Sequence, residues 1–355
     1  MAIQKKPYLI IPVLVEQPTW GGEYICKKKG WLYKQGLKNK KIGQSYELSN
    51  TSFLAPSIFS SDNPHFSPEM KNSLSISVFS EKRPFPLIKF TQAKGNSFQL
   101  HVKPEVENTS WQPKAESWYF LENGKITLGV KKGIHINTYK QTCILIESEM
   151  KKLSKMILNQ SLTREQANKK AKLFILENNP WQFVNTYETK KGEVVDLSRG
   201  GLHHSWEEDV ANYPQGNIVY EIQQDVMDSV STLRSFDQGK FKEDGTIREI
   251  QIDDYFAHID TDETNNILVP EKKQGDILFD TPFYSLISQM LLSNKEMEST
   301  TSFHHLFIKE GTIIISDQNN NEISVGMGHS CFIPMGIKYL IKPIEKSEIL
   351  LTYLR

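Results

Sequence analysis

The chain has 355 residues, more than one hydrophobic core usually serves, so two lobes are expected. Lys and Arg number 42, as do Asp and Glu, so the chain has no long-range pull on nucleic acid or on an anionic membrane surface. An anionic ligand must be met by a few local cations. Hydrophobic residues at 38% and charged residues at 24% match an ordinary soluble globular protein. The segment MAIQKKPYLIIPVLVEQPTWGG holds an apolar run broken by Pro12. It lacks a small-residue cleavage site and is too short to span a bilayer, and no other stretch approaches that length, so a cytoplasmic location is expected. Cys26, Cys143 and Cys331 lie far apart, without a CxxC pair, and read as free thiols in a reducing compartment.

From residue 9 onward, short runs rich in Val, Ile, Phe and Tyr recur: 9–15, 85–90, 97–102, 117–122, 125–130, 192–197, 217–223, 306–316 and 331–336. Gly, Asn or Pro punctuates them, as in Glu122-Asn123-Gly124. Many short strands with such turns predict a mainly β sandwich or barrel. Residues 20–82 look irregular. The stretch from about 144 to 180 differs, with apolar residues at helical spacing. Thr163 and Gln166 form a capping-box pattern, and Asn179-Pro180 stops the second segment. A helical insert therefore interrupts a β-rich lobe. The polar stretch at 260–275 marks a lobe boundary, separating residues 1–260 from a C-terminal domain at 276–355.

The densest chemical signal is Ser97-Phe98-Gln99-Leu100-His101. Alternate residues of a strand share a face, so Ser97, Gln99 and His101 point into one cavity. Polar groups on the inward face of a small barrel are costly unless they bind something. Lys114 and Glu116 alternate in the same way. A cation, a carboxylate, an imidazole and an amide converging on one cavity make a metal and anion site, and His with carboxylate suits zinc and other divalent first-row ions. After the insert, a glycine turn, a strand and a second glycine turn lead from Gly192 to His203 and His204, returning an imidazole to that cavity. Glu221 and Gln223 alternate inward on the next strand, and Arg234 follows.

These segments, in this order, resemble the type I mannose-6-phosphate isomerases of the cupin superfamily. Trp20-Gly21-Gly22, residues 42–47 and residues 85–89 extend the resemblance, which spans roughly 8–260 and beyond that is only to a generic jelly roll. It implies cupin (jelly-roll) β-barrels in two lobes, the N-terminal lobe catalytic and carrying the helical insert. It implies one zinc ion, with Gln99, His101 and Glu116 at ligand positions. The family spacing from Gly192 through Gly200 puts the remaining ligand at His203, while alignment of the following strand gives His204. Ser97 and Lys114 match positions facing the substrate phosphate or sugar hydroxyls. Arg234 matches an arginine that assists proton transfer, and Glu221 matches an acidic residue and is a candidate base. In the C-terminal jelly roll, Lys338-Tyr339 stands where a metal histidine would follow Phe303-His304-His305, so that domain is expected to be metal-free.

The implied activity is a zinc-dependent aldose–ketose isomerisation of mannose 6-phosphate and fructose 6-phosphate through an enediol(ate). The partner is a small hexose phosphate, with neither nucleic acid nor membrane, and no oligomeric state is implied. A second hypothesis is a non-enzymatic sugar-phosphate-binding or regulatory cupin. A third is a cupin isomerase of another hexose.

Overall fold

The computed structural model describes residues 4–32, 36–37, 39–55, 73–79, 83–107, 109–198, 200, 203–268 and 276–355, with the backbone alone at His203 and His204. Part of the irregular 20–82 region and part of the 260–275 boundary lie outside the described residues.

Four antiparallel sheets stack in sequence. The N-terminal barrel pairs a six-stranded with a five-stranded sheet. The six-stranded sheet runs, in spatial order, Val194–Asp196, Glu116–Phe120, Asn217–Gln223, Leu87–Ala93, Ile42–Leu48 and Val13–Glu16. The five-stranded sheet runs Val184–Thr189, Gly124–Val130, His203–Trp206, Phe98–Leu100 and Leu233–Phe236. Trp118, Phe120 and Val219 meet Ile126, Leu128 and Trp206 between the two sheets. The second barrel pairs an eight-stranded with a four-stranded sheet around Leu306, Ile308, Ile313, Ile315, Val325 and Ile341.

The barrels sit back to back. Residues of the six-stranded sheet that alternate away from its barrel, such as Tyr119, Ile218, Tyr220 and Ile222, pack against Phe279, Tyr284, Phe303 and Phe307. Asn217–Gln223 is buried along its whole length, with Ile218, Tyr220 and Ile222 toward the second barrel and Val219, Glu221 and Gln223 toward the first.

Pro12 divides the first apolar run between the lobes. It has no N–H to give a ladder. Tyr8–Ile11 pairs with Ser330–Ile333 in the C-terminal sheet, whereas Val13–Glu16 pairs with Ile42–Leu48 in the other. Phe53–Ala55 and Leu74–Ser75 also join the eight-stranded sheet. The 1–260 segment thus lends three strands to the other lobe. The single run expected at 306–316 is two strands, His304–Glu310 and Thr312–Asp317, split at Gly311. Gly311 has φ +79°, and a Cβ there would lie 2.8 Å from the Lys346 carbonyl oxygen.

The insert comprises helices Ile136–Leu158 and Arg164–Asn178, the first starting eight residues before the predicted 144. Tyr139, Cys143, Ile146, Ala167 and Ile175 cover Phe98, Val130 and Phe236 on the outer face of the five-stranded sheet. Thr163 and Gln166 form the predicted capping box, and Asn179 closes the second helix in the left-handed region at φ 39°. All three cysteines are buried, and none is in a disulfide. Among the described residues, no helix is long and apolar enough to cross a membrane.

Candidate active site

A cavity of about 440 Å³ opens into the N-terminal barrel. Its walls come from both sheets because inward-facing residues alternate along each strand. The five-stranded sheet gives Ser97, Gln99 and Arg234, and the six-stranded sheet gives Gln44, Tyr46, Lys89, Glu116, Glu221 and Gln223. Phe98 packs toward the insert and Leu100 into a separate apolar cluster, as the alternation predicts.

His101 is buried, 1% exposed. Its Nε2 lies 3.0 Å from Glu116 Oε2 and its Nδ1 lies 2.9 Å from the Ser231 carbonyl oxygen. Both ring nitrogens therefore face oxygen acceptors. With Nδ1–H donated to the carbonyl, Nε2 faces the carboxylate, and a proton or a metal ion shared between them would satisfy both. Glu116 is fixed from its other oxygen, which accepts from Trp118 Nε1 at 2.7 Å. Among the described residues no group of three or more His, Cys, Asp and Glu gathers as a metal cage. What gathers is the His101 imidazole against the Glu116 carboxylate, with Glu116 and the Gln99 amide on the cavity wall. The fourth expected ligand falls on residues 203–204, whose side chains lie outside the description. Their backbone is defined: position 203 pairs with Leu100 and position 204 with Gln99. Gly200 (φ +62°) shapes the turn that brings this strand in, and a Cβ there would lie 2.9 Å from the Val102 carbonyl oxygen.

The charges form linked pairs. Lys114 Nζ lies 3.3 Å from Glu116 Oε2 and 3.1 Å from Asp228 Oδ1, and Arg234 Nη2 lies 3.1 Å from Asp228 Oδ2. Partial desolvation would raise the Asp228 carboxyl, but the cations of Lys114, Lys89 and Arg234 outweigh it and hold it well below the usual carboxylate range. Across the cavity Lys89 donates to Glu221 Oε1 at 2.9 Å and to Gln223 Oε1 at 3.0 Å, while Thr91 donates to Glu221 Oε2 at 3.2 Å. Burial pushes Glu221 up against the opposing pull of Lys89. Burial disfavours the Lys89 ammonium, yet Glu221, Asp228 and Glu116 together raise it above its ordinary value. Two buried polar atoms on the wall have no partner among the described residues: Ser97 Oγ and Arg234 Nε. Lys240 and Arg248 line the same cavity.

Ser97, Gln99, Lys114, Glu116, Glu221 and Arg234 are thus brought to one cavity, with His101 bonded to Glu116. Lys89 received no role from the sequence, although Lys89 and Thr91 alternate within LIKFTQA in the same way as the residues that did. Asp228 lies on the short helix Asp228–Ser231, where no strand alternation points inward.

Two jelly rolls back to back, with a buried imidazole–carboxylate pair in the N-terminal one, define a two-lobed cupin architecture. The chain shares the fold of the mannose-6-phosphate isomerases. It aligns with the mannose 6-phosphate isomerase from Bacillus subtilis at 16% identity, covering 99% of this chain and 100% of that one, with a TM-score of 0.66. A zinc-bound mannose 6-phosphate isomerase aligns at 13% identity over 98% of this chain and 99% of its own, with a TM-score of 0.64. The Salmonella typhimurium enzyme bound to its substrate fructose 6-phosphate and to zinc aligns at 12% identity over 99% and 100%, with a TM-score of 0.63. No protein-family model and no curated protein sequence matches the chain.

Proposed function

We propose that this protein is a zinc-dependent aldose–ketose isomerase that interconverts mannose 6-phosphate and fructose 6-phosphate. The observation that carries this reading is the His101–Glu116 pair, 3.0 Å apart, with Glu116 on a cavity that also presents Gln99, Lys114 and Arg234. The shared fold with isomerases, one of them bound to fructose 6-phosphate and zinc, supports it.

Gln99, His101, Glu116 and one histidine of the 203–204 pair would hold the metal. Paired positions on antiparallel strands share a face, so the 204–Gln99 register favours His204 over the family-spacing choice of His203. When bound, zinc supplies a Lewis acid for negative charge developing on sugar oxygen. The remaining steps belong to side chains of this chain. Glu221 takes the proton between C1 and C2 through Oε2, the oxygen that accepts the Thr91 hydrogen bond and stands free of the Lys89 ammonium. Its raised basicity suits that task. Lys114 and Arg234, held by Asp228, donate hydrogen bonds to the enediolate oxygens. The phosphate lies toward Ser97, whose buried Oγ has an open hydrogen-bonding position, with Lys240 and Arg248 of the cavity lining bringing charge. From residue 101 to residue 97 an extended chain covers about 13 Å, enough to separate the two ends of an open-chain hexose phosphate.

The test is a coupled assay of the zinc-loaded protein for fructose 6-phosphate formation. Turnover that disappears in His101→Ala and Glu116→Gln together with the bound metal supports the proposal. Full activity and full metal content in either variant overturns it. Binding of hexose phosphate without turnover by the metal-loaded wild type would instead favour a sugar-phosphate-binding cupin.

A further inference from the structure

Among the described residues the C-terminal lobe contributes none to the cavity, yet one of its hydroxyls reaches the strands that build it. Tyr284, on the strand Tyr284–Leu291 and 1% exposed, places its Oη 3.0 Å from Ser117 Oγ and 3.2 Å from the Ile222 carbonyl oxygen. Ser117 Oγ donates to Asp196 Oδ1 at 2.8 Å, so its proton is used there and it accepts from Tyr284. The single phenolic proton is shared between Ser117 Oγ and the Ile222 carbonyl. Ser117, Asp196 and Ile222 form one row across three neighbouring strands, with Ser117 paired to both of the others. Ser117 follows Glu116 directly, and Ile222 lies between Glu221 and Gln223. Gln223 pairs with Glu116, and Glu221 pairs with Trp118, whose indole holds Glu116.

We propose that Tyr284 is a positioning residue: from the second lobe it locks the register of the strands presenting Glu116 and Glu221, and so sets the distance between the metal-holding carboxylate and the proton-accepting one. This rests on the isomerase reading for its catalytic consequence, but not for its structural one. Neighbouring strands slide or twist most easily where their outer face is only apolar, because apolar contact has no direction. A hydroxyl bridging two strands adds a directional tie to a row already paired by the ladder. Groups behind metal ligands commonly change metal affinity by tenfold or more when removed.

The experiment compares Tyr284→Phe with Lys309→Met in the full-length protein. Lys309 also crosses between the lobes, donating to Tyr119 Oη at 2.8 Å, but it touches neither the Ser117 row nor the cavity. Three quantities are read: the Trp118 indole N–H resonance, which reports its bond to Glu116; zinc affinity by chelator competition; and kcat and KM separately. Tyr284→Phe is expected to shift the indole resonance, weaken zinc on the order of tenfold and lower kcat similarly, with little change in KM. Lys309→Met is expected to lower stability and leave all three unchanged. Ser117→Ala, which removes the same bond from the other side, should reproduce the Tyr284→Phe changes. Equal effects of Tyr284→Phe and Lys309→Met, or an unmoved indole resonance with unmoved zinc affinity, would overturn the proposal. A wild-type chain that lacks isomerase activity would sink the isomerase reading alone, because the indole and zinc measurements decide the role of Tyr284 without turnover.

Discussion

Lys89 and Glu221 face each other at 2.9 Å on paired strands inside the N-terminal barrel, both nearly inaccessible to solvent. The lysine keeps a buried carboxylate chargeable, and burial lifts that carboxylate above its ordinary value. A base must be deprotonated to act, so kcat/KM is expected to fall with decreasing pH through a pKa above the usual carboxylate range. Glu221→Gln should lower kcat by roughly 10²-fold or more and remove this acid limb. A pH profile of the variant that keeps the wild-type limb assigns the base elsewhere.

Asp228 bridges Lys114 and Arg234 with one oxygen to each. Asp228→Asn keeps the shape and removes the charge that orients both cations. It is expected to lower kcat/KM roughly tenfold, and Lys114→Met to lower it on the order of 10²-fold, as for loss of a donor to developing oxyanion charge. Steady-state kinetics at fixed zinc checks both values. An Asp228→Asn effect larger than that of Lys114→Met would show that Asp228 itself handles the proton.

The Ser97 hydroxyl is fully buried on the cavity wall, with no hydrogen-bond partner among the described residues. Ser97→Ala is expected to raise KM for mannose 6-phosphate several-fold, by about 1 kcal/mol of lost hydrogen bonding, with kcat nearly unchanged. Inorganic phosphate should inhibit the variant more weakly than the wild type. An unchanged inhibition constant would move the phosphate away from Ser97.

His305 is buried between the lobes, with Nδ1 3.0 Å from Tyr220 Oη, and burial pushes its pKa from 6.5 down to about 3. As pH falls below 6.5 the unfolded chain takes up this proton and the folded chain does not until about 3, so stability is lost across that window. His304, pushed down to about 4 by burial, acts in the same direction. The urea midpoint is expected to drop as the pH is lowered from neutrality into that window, and the drop should shrink in His305→Asn. An equal drop in the variant would place the acid sensitivity in other groups.

The β-rich architecture was legible because alternation, turn glycines and the Thr163 cap are local signals, each read over a few residues. Ser97, Gln99 and Glu116 were legible for the same reason: strand alternation sends them to one side. Asp228 was legible only as one of two aspartates, with Asp225, that the resemblance leaves open as a match, because its helix has four residues and no period to read. The Lys89–Glu221 pair joins residues far apart in sequence, and only the register of two strands reveals it. The early start of the first helix, at Ile136, was hidden because His135 caps it without a side-chain bond and its first turn has no acidic residue. The choice between His203 and His204 is a one-residue slip, which reverses the face of every position on a strand, and the pairing with Gln99 carries information that spacing along the chain lacks.

The break at Pro12 has a consequence for biosynthesis. Tyr8 and Leu9 leave the ribosome long before their partners Phe332 and Cys331. Until then the eight-stranded sheet lacks an interior member, and Tyr8–Ile11, which can pair only with Phe53–Ala55, waits with its other edge unsatisfied. The N-terminal barrel draws its strands only from Val13 to Phe236 and can close first, but the second barrel cannot be built from the C-terminal residues alone. A nascent chain of this protein depends on holding its first strand out of non-native pairings, and a version cut between the lobes would leave each half with an open seam.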